Sequence, residues 1–246
     1  LTRTNGDYFA PSWSPDGQWI AYYQGDEARY FAYEINKVTI VPAAGGAAKV
    51  LTAALDRPVS GQIWWSPDGK TLTFTVGDDR AEYVGRTTTA GGGVEKLTTG
   101  RHTVSNVTLG ADGHLTLLAG TAARTPEVHA LEGGALRTLT RVNDALLAGL
   151  QLATTEDFTS KSKDGTVVNG LIVKPASYTA GTKYPTLLII HGGPNGQDSH
   201  AFDFDNQFLA ANGYVVLNIN YRGSSGRGEA FQKAIYADWG NKEVVD

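Results

Sequence analysis

Hydrophobic and polar positions alternate along the first part of the chain. Trp19-Ile20-Ala21-Tyr22-Tyr23, Val38-Thr39-Ile40-Val41 and Leu72-Thr73-Phe74-Thr75-Val76 carry the period-two rhythm of half-buried strands. The rhythm is itself repeated. The segment 42–52 aligns with 88–98 and with 130–140, each holding a Gly-Gly pair and then Leu-Thr at a fixed offset, which gives periods of 46 and 42 residues. A fourth Leu-Thr stands at Leu1-Thr2. Between these markers Trp13-Ser14-Pro15-Asp16-Gly17 returns as Trp65-Ser66-Pro67-Asp68-Gly69, and in decayed form as Leu109-Gly110-Ala111-Asp112-Gly113.

The repeated residues have turn chemistry. Proline presets φ, the aspartate side chain can accept from the backbone two residues on, and glycine takes the left-handed position. The Gly-Gly pairs predict a second hairpin in each unit. Strands in hairpins at this period match the blade of a β-propeller, about 40–50 residues, and three blades fall short of the usual ring of about 4–8. Residues 1–149 are therefore expected to form about three blades of a partial β-propeller. A β-sandwich with coincidental turns is disfavoured, because it has no reason to keep two markers at one spacing.

After Gly149 the repeat stops. Phe158–Lys163 and Thr166–Val173 predict two strands around a Lys163-Asp164-Gly165 turn. Thr186–Ile190 is a short, continuously apolar run, as expected of a strand buried on both faces, and Tyr214–Ile219 reads as a second buried strand. Between them, residues 203–212 place Phe204, Phe208, Leu209 and Ala211 at helical spacing before Gly213. Residues 228–239 put Phe231, Ala234, Ile235 and Trp239 on one helical face, and Asn241 is placed to cap a further helix near Asp246. Strand, helix, strand, helix predicts an α/β layer with a parallel core over 150–246, itself incomplete.

Two loops leave the carboxyl ends of the apolar strands, where open α/β sheets build their sites. The first, His191-Gly192-Gly193-Pro194-Asn195, has consecutive glycines that let backbone N–H groups approach a ligand, as an oxyanion hole requires. A tight turn with a packed, hydrogen-bonded His191 accounts for the same residues. The second, 220–228, has the glycine spacing G-x-x-G-x-G, which is neither of the nucleotide-binding fingerprints. Arg222 in it is expected to brace the loop through backbone carbonyls or a carboxylate. The chain has no G-x-S-x-G nucleophile elbow. Asp198-Ser199-His200 holds triad residue types, but adjacent side chains diverge, so it is expected to be an exposed loop. His102, His114 and His129 lack metal-ligand spacing and fit surface or inter-blade packing.

Composition narrows the remaining classes. Residues up to Thr140 hold 12 basic and 14 acidic side chains and the rest hold 9 and 11, so no basic arm argues for nucleic acid or a membrane surface. Cysteine is absent, which excludes disulfides, thiolate metal sites and a Cys nucleophile, and neither a metal nor a cofactor is expected. No stretch approaches 18 apolar residues, and no signal-peptide pattern opens the chain. Methionine is absent too, which points to a processed product or a piece of a longer protein.

The combination of Trp-Ser-Pro-Asp-Gly repeats, Tyr184-Pro185…His191-Gly192-Gly193-Pro194 and Asn220-Tyr221-Arg222-Gly223-Ser224-Ser225-Gly226 resembles the prolyl oligopeptidase family of serine peptidases. The His-Gly-Gly-Pro loop brings it closer to the acylaminoacyl-peptidase and dipeptidyl-peptidase-like branch. The resemblance covers nearly the whole chain, from the last three propeller blades into the N-terminal half of an α/β-hydrolase domain. It implies a peptidase for short peptides whose Ser, Asp and His follow the Asn-Tyr-Arg-Gly-Ser segment and so fall beyond Asp246. His191, Gly192 and Gly193 would then form the oxyanion-side loop, with Tyr221 and Arg222 bracing it. The 246 residues alone are expected to be inactive. The expected partners are a short peptide and the remaining part of the same polypeptide or a homo-oligomer. The alternatives are a non-catalytic propeller binding module and an esterase on the same scaffold.

Overall fold

The computed structural model describes residues 6–25, 27–30 and 32–246. The first region is three four-stranded antiparallel sheets in chain order. They are formed by β1 (Tyr8–Trp13), β2 (Trp19–Gln24), β3 (Lys37–Pro42) and β4 (Lys49–Val50); by β5 (Val59–Trp65), β6 (Thr71–Asp78), β7 (Ala81–Thr88) and β8 (Glu95–Lys96); and by β9 (Thr103–Leu109), β10 (Leu115–Thr121), β11 (Arg124–Glu132) and β12 (Ala135–Thr138). A short helix α1 (Asp144–Leu147) leads out of them.

Each repeated residue has a local task. Asp16, Asp68 and Asp112 each accept from the backbone two residues on, at 3.0, 3.1 and 3.1 Å, while Gly17, Gly69 and Gly113 sit at φ 69°, 69° and 83°. The Leu-Thr marker closes the far side of the sheet. Thr52, Thr98 and Thr140 accept from the N–H of Val38, Val84 and Val128 through Oγ1 at 2.9, 3.0 and 2.9 Å. The preceding leucines donate their N–H to the carbonyls of the same valines. The fourth Leu-Thr, Leu1-Thr2, lies outside the described residues. The first strands also carry a left-handed residue, Ala10, Gly61 or Asn106, beside a register shift, a bulge for which the sequence has no common signal.

The sheets bury themselves against their neighbours. Tyr23, Ile40, Ile63, Leu72 and Phe74 form one core across the first two sheets, and Val84, Val104, Val107 and Leu117 another across the second and third. Trp65 is 7% exposed and donates Nε1–H to the Ser12 carbonyl of the preceding sheet, whereas its counterpart Trp13, with no described sheet before it, is 62% exposed.

The second region is one mixed four-stranded sheet, ordered β13 (Thr154–Lys161), β14 (Val167–Lys174), β16 (Val215–Asn220) and β15 (Thr186–Ile189). The parallel β15–β16 pair matches the expected parallel core, but β13 and β14 join antiparallel. Helix α2 (Phe204–Ala211) connects β15 to β16, capped by the Asp203 side chain on the Asn206 N–H.

Four features differ from the sequence expectation. Among the described residues β15 is an edge strand and is not buried on both faces: Leu188 is 54% exposed and Ile190, just past the strand, 65%. The apolar stripe of α2 faces outward at Phe204 and Phe208, and Gln207 and Ala210 are the residues it buries. The helix expected over 228–239 is only α3 (Glu229–Lys233), which leaves Ile235 buried but Trp239 exposed. Residues Lys242–Val245 then form α4 without a side-chain cap from Asn241, whose amide donates to Asp238 instead.

Candidate functional site

Both glycine-bearing loops lie at the carboxyl ends of the parallel strands and meet there. The His191 ring stacks on the Tyr221 ring at 4.7 Å, and the Tyr221 hydroxyl donates to the His191 carbonyl at 2.6 Å. His191 Nε2 pairs with the fully buried Ser224 hydroxyl at 2.9 Å, and Nδ1 is 3.0 Å from the Gly192 carbonyl. Both ring nitrogens are thus occupied, so the imidazole holds the loop and the backbone is left to meet a ligand.

That backbone is open. No described residue accepts the N–H of Gly192 or of Gly193. Gly192 is exposed, with nothing within 4 Å of a Cβ position, whereas Gly193 sits at φ +132° and a Cβ there would lie 2.8 Å from the Asn195 nitrogen. Only glycine fits this conformation without moving the loop. The two glycines and Pro194 line an apolar cavity of about 620 Å³, together with Leu188, Ile190, Ile219, Tyr221 and Trp239. Both glycines are exposed, so a ligand entering the cavity can meet these two N–H donors, the kind of group an oxyanion site uses.

Arg222 is built into the opposite side of the second loop. Its backbone N–H donates to Asp246 Oδ2 at 2.7 Å, Nη2 reaches Asp246 Oδ1 at 2.7 Å, and Nη1 reaches Asp164 Oδ2 at 2.6 Å. Nη2 also donates to the Lys242 carbonyl at 3.1 Å. The hydrogen-bonded Asp246 carboxylate leads the rise in the Arg222 pKa. Asp164 is held at about 2, first by the Thr166 N–H and hydroxyl and then by Arg222. Asp246 Oδ1 accepts from the Ser162 hydroxyl as well, at 2.6 Å. One guanidinium therefore joins the β13–β14 turn, the second loop and α4.

Asp198-Ser199-His200 is not an exposed loop. His200 is buried, its Nε2 lies 3.0 Å from Asp157 Oδ1, and its N–H donates to the Arg80 carbonyl at 2.8 Å. Burial pushes its pKa down against the pull of Asp157, and burial pushes that of Asp198 up. Long-range contact with the second sheet explains the difference, and three adjacent residues give no hint of it. His102 and His129 are buried among the sheets, while His114 is exposed on a turn beside Asp112.

A second cavity, about 410 Å³ and polar, lies where the first region meets these loops. Its lining includes Glu34, Asn36, Glu82, Asn195, Gln197 and Gln232, with no basic side chain. Burial raises the Glu82 pKa, and the amide oxygen of the buried Gln232 has no partner among the described residues. Sequence reasoning missed this cluster, because its members lie far apart along the chain and belong to no motif. Among the described residues no group of His, Cys, Asp and Glu could hold a metal ion, and no helix is long and apolar enough to cross a membrane.

Residues 200–246 match the model of the prolyl oligopeptidase family. Dipeptidyl-peptidase 5 of Porphyromonas gingivalis is 26% identical over 243 residues, which cover 96% of this chain and 35% of that protein. The uncharacterized peptidase YuxL of Bacillus subtilis is 38% identical over 110 residues, 45% of this chain and 17% of that one. Among solved structures, the Pyrococcus horikoshii acylaminoacyl peptidase superposes with a TM-score of 0.82 at 26% identity, over 97% of this chain and 36% of that one. The chain thus spans about a third of the length of the two relatives it matches from end to end.

Proposed function

Because this chain belongs to the prolyl oligopeptidase family, in its acylaminoacyl- and dipeptidyl-peptidase-like branch, we propose that it is part of a serine peptidase acting on short peptides. The three antiparallel sheets are then about three blades of a propeller, residues 1–149, and residues 150–246 are the N-terminal half of an α/β-hydrolase domain. The Ser, Asp and His of the triad lie outside these residues. The observation that carries the proposal is the pair of unpaired N–H groups at Gly192 and Gly193 beside an apolar cavity.

In the complete enzyme the serine Oγ attacks the substrate carbonyl carbon while the histidine takes its proton. The carbonyl oxygen becomes an oxyanion, held by N–H donors of the Gly192–Gly193 loop. Collapse breaks the C–N bond, the amine leaves with the proton from histidine, and water releases the acyl group by the same route. Each oxyanion donor contributes about 3–4 kcal/mol to such a transition state. Tyr221 fixes the His191 carbonyl, and Arg222 ties the neighbouring loop to Asp164 and Asp246.

The polar cavity favours a substrate with a free amino terminus over an acyl-blocked one, because the half-buried Glu82 carboxyl lines it and none of the side chains lining it is basic. A non-catalytic binding module is the weaker reading, since it has no use for two unpaired N–H groups over an apolar cavity. A serine-directed fluorophosphonate probe tests the proposal. The 246-residue chain alone should stay unlabelled, and the longer polypeptide that carries it should be labelled once and cleave dipeptide anilides faster than their acetylated forms. Stoichiometric labelling of the 246-residue chain, or no labelling of the longer one, contradicts it.

A further inference from the structure

The connection between β6 and β7 is a two-residue turn, Asp79-Arg80, with φ of 39° and 70°. Turns of this kind, with both residues left-handed, favour Asn-Gly, and neither residue here is glycine. A non-glycine pair in this conformation is uncommon and has to be held by its surroundings. The surroundings in this case belong to the other region of the molecule.

The Asp79 N–H donates to the Gly226 carbonyl at 3.0 Å, and Asp79 Oδ2 accepts from Asn169 Nδ2 at 2.9 Å. The Arg80 N–H donates to Gln197 Oε1 at 3.1 Å, and the Arg80 carbonyl accepts the His200 N–H at 2.8 Å. The Arg80 guanidinium, 12% exposed, lies 3.1 Å from Asp157 Oδ1 and donates to the carbonyls of Gly170 and Phe158 at 3.1 and 3.4 Å. One hairpin tip therefore holds β13, β14, the end of the loop that begins at His191, and the loop after β16. Gly226 is fitted to it, since a Cβ there would lie 2.9 Å from the Asp79 nitrogen.

We infer that the Asp79-Arg80 turn is a positioning strut, by which the second sheet sets the spacing of the two glycine-bearing loops. Its effect on peptide hydrolysis rests on the function proposed above; the positioning itself does not. Arg80 touches neither cavity and acts through Gln197, His200 and the β13–β14 carbonyls.

Hydrogen exchange separates a strut from an ordinary hairpin turn. Arg80→Gly relaxes the left-handed backbone and should leave β6 and β7 as protected as before, or more so. Amides of 196–200 and 223–226 should exchange about tenfold faster or more, because the turn keeps its backbone bonds to Gln197, His200 and Gly226 but loses the guanidinium that anchors it on β13 and β14. Arg80→Lys should fall between, since an ammonium keeps Asp157 but loses the fork over two carbonyls. Unchanged or slower exchange at both loops in Arg80→Gly overturns the inference. In the complete peptidase, Arg80→Gly should lower kcat about tenfold with KM within about threefold, the mark of a displaced catalytic loop. Faster loop exchange with unchanged kcat supports the strut and counts against the peptidase reading of the loops.

Discussion

The two regions follow opposite rules. In the three antiparallel sheets nearly every repeated residue does its work within a few positions or within its own sheet: aspartate on the residue two ahead, threonine on the valine of the adjacent strand, glycine in its own turn. In the mixed sheet the decisive contacts join residues far apart, such as Arg222 to Asp164 and Asp246, or His200 to Asp157 and Arg80. Local chemistry repeats because each unit must make the same turns, and long-range chemistry does not because each contact is made once.

That contrast can be broken by substitution. Asp246→Ala removes the carboxylate that faces Arg222 and leaves a guanidinium only 10% exposed with half its partners. A loss of about 3–5 kcal/mol in urea unfolding is expected, as for a buried ion pair missing one member, and a loss below about 1 kcal/mol would contradict the long-range account. In the repeats the matched pair is Trp65→Ala and Trp13→Ala, since both residues occupy the same place in the repeat. The first should cost about 3–5 kcal/mol and the second no more than about 0.5 kcal/mol. Equal costs would show that the neighbouring sheet is not what buries Trp65.

Smaller effects sharpen the same point. Thr98→Val keeps the shape but leaves the buried Val84 N–H without its acceptor, at an expected cost of about 1–3 kcal/mol. The smallest effect is a pH dependence. Burial lowers the pKa of His200 from its ordinary 6.5, so the unfolded chain takes up that proton first. Its stabilisation is complete above about 6.5 and is lost as pH falls toward the folded value. His200→Gln should therefore lose less of its urea midpoint between pH 7.5 and 5.5 than the parent chain does.

This division also explains what was legible in the sequence. The turns at Gly17 and Gly69 and the β13–β14 hairpin were readable because the residues that cause them are adjacent. Leu-Thr was visible as a repeated marker but not as a closure, since each threonine meets a valine 12 to 14 positions away. The exposure of Leu188, Ile190, Phe204 and Phe208 was not, because an apolar run has the same composition in an edge strand as in a buried one. For the candidate site, the two loops stood out by their glycines. Asp79, Arg80, Glu82 and Gln232 did not, as each matters only through a residue brought to it by the fold.

The central claim is that the loop at Gly192 and Gly193 presents its N–H groups to a developing oxyanion. In the complete peptidase, Gly193→Ala must shift the backbone, because the residue sits at φ +132° with the Asn195 nitrogen 2.8 Å from the new Cβ, whereas Gly192→Ala enters open space. The kcat for a dipeptide anilide should fall about 100- to 1000-fold in Gly193→Ala and stay within about tenfold of the parent in Gly192→Ala, with KM little changed in both. A Gly193→Ala enzyme with the parent's kcat would contradict the account.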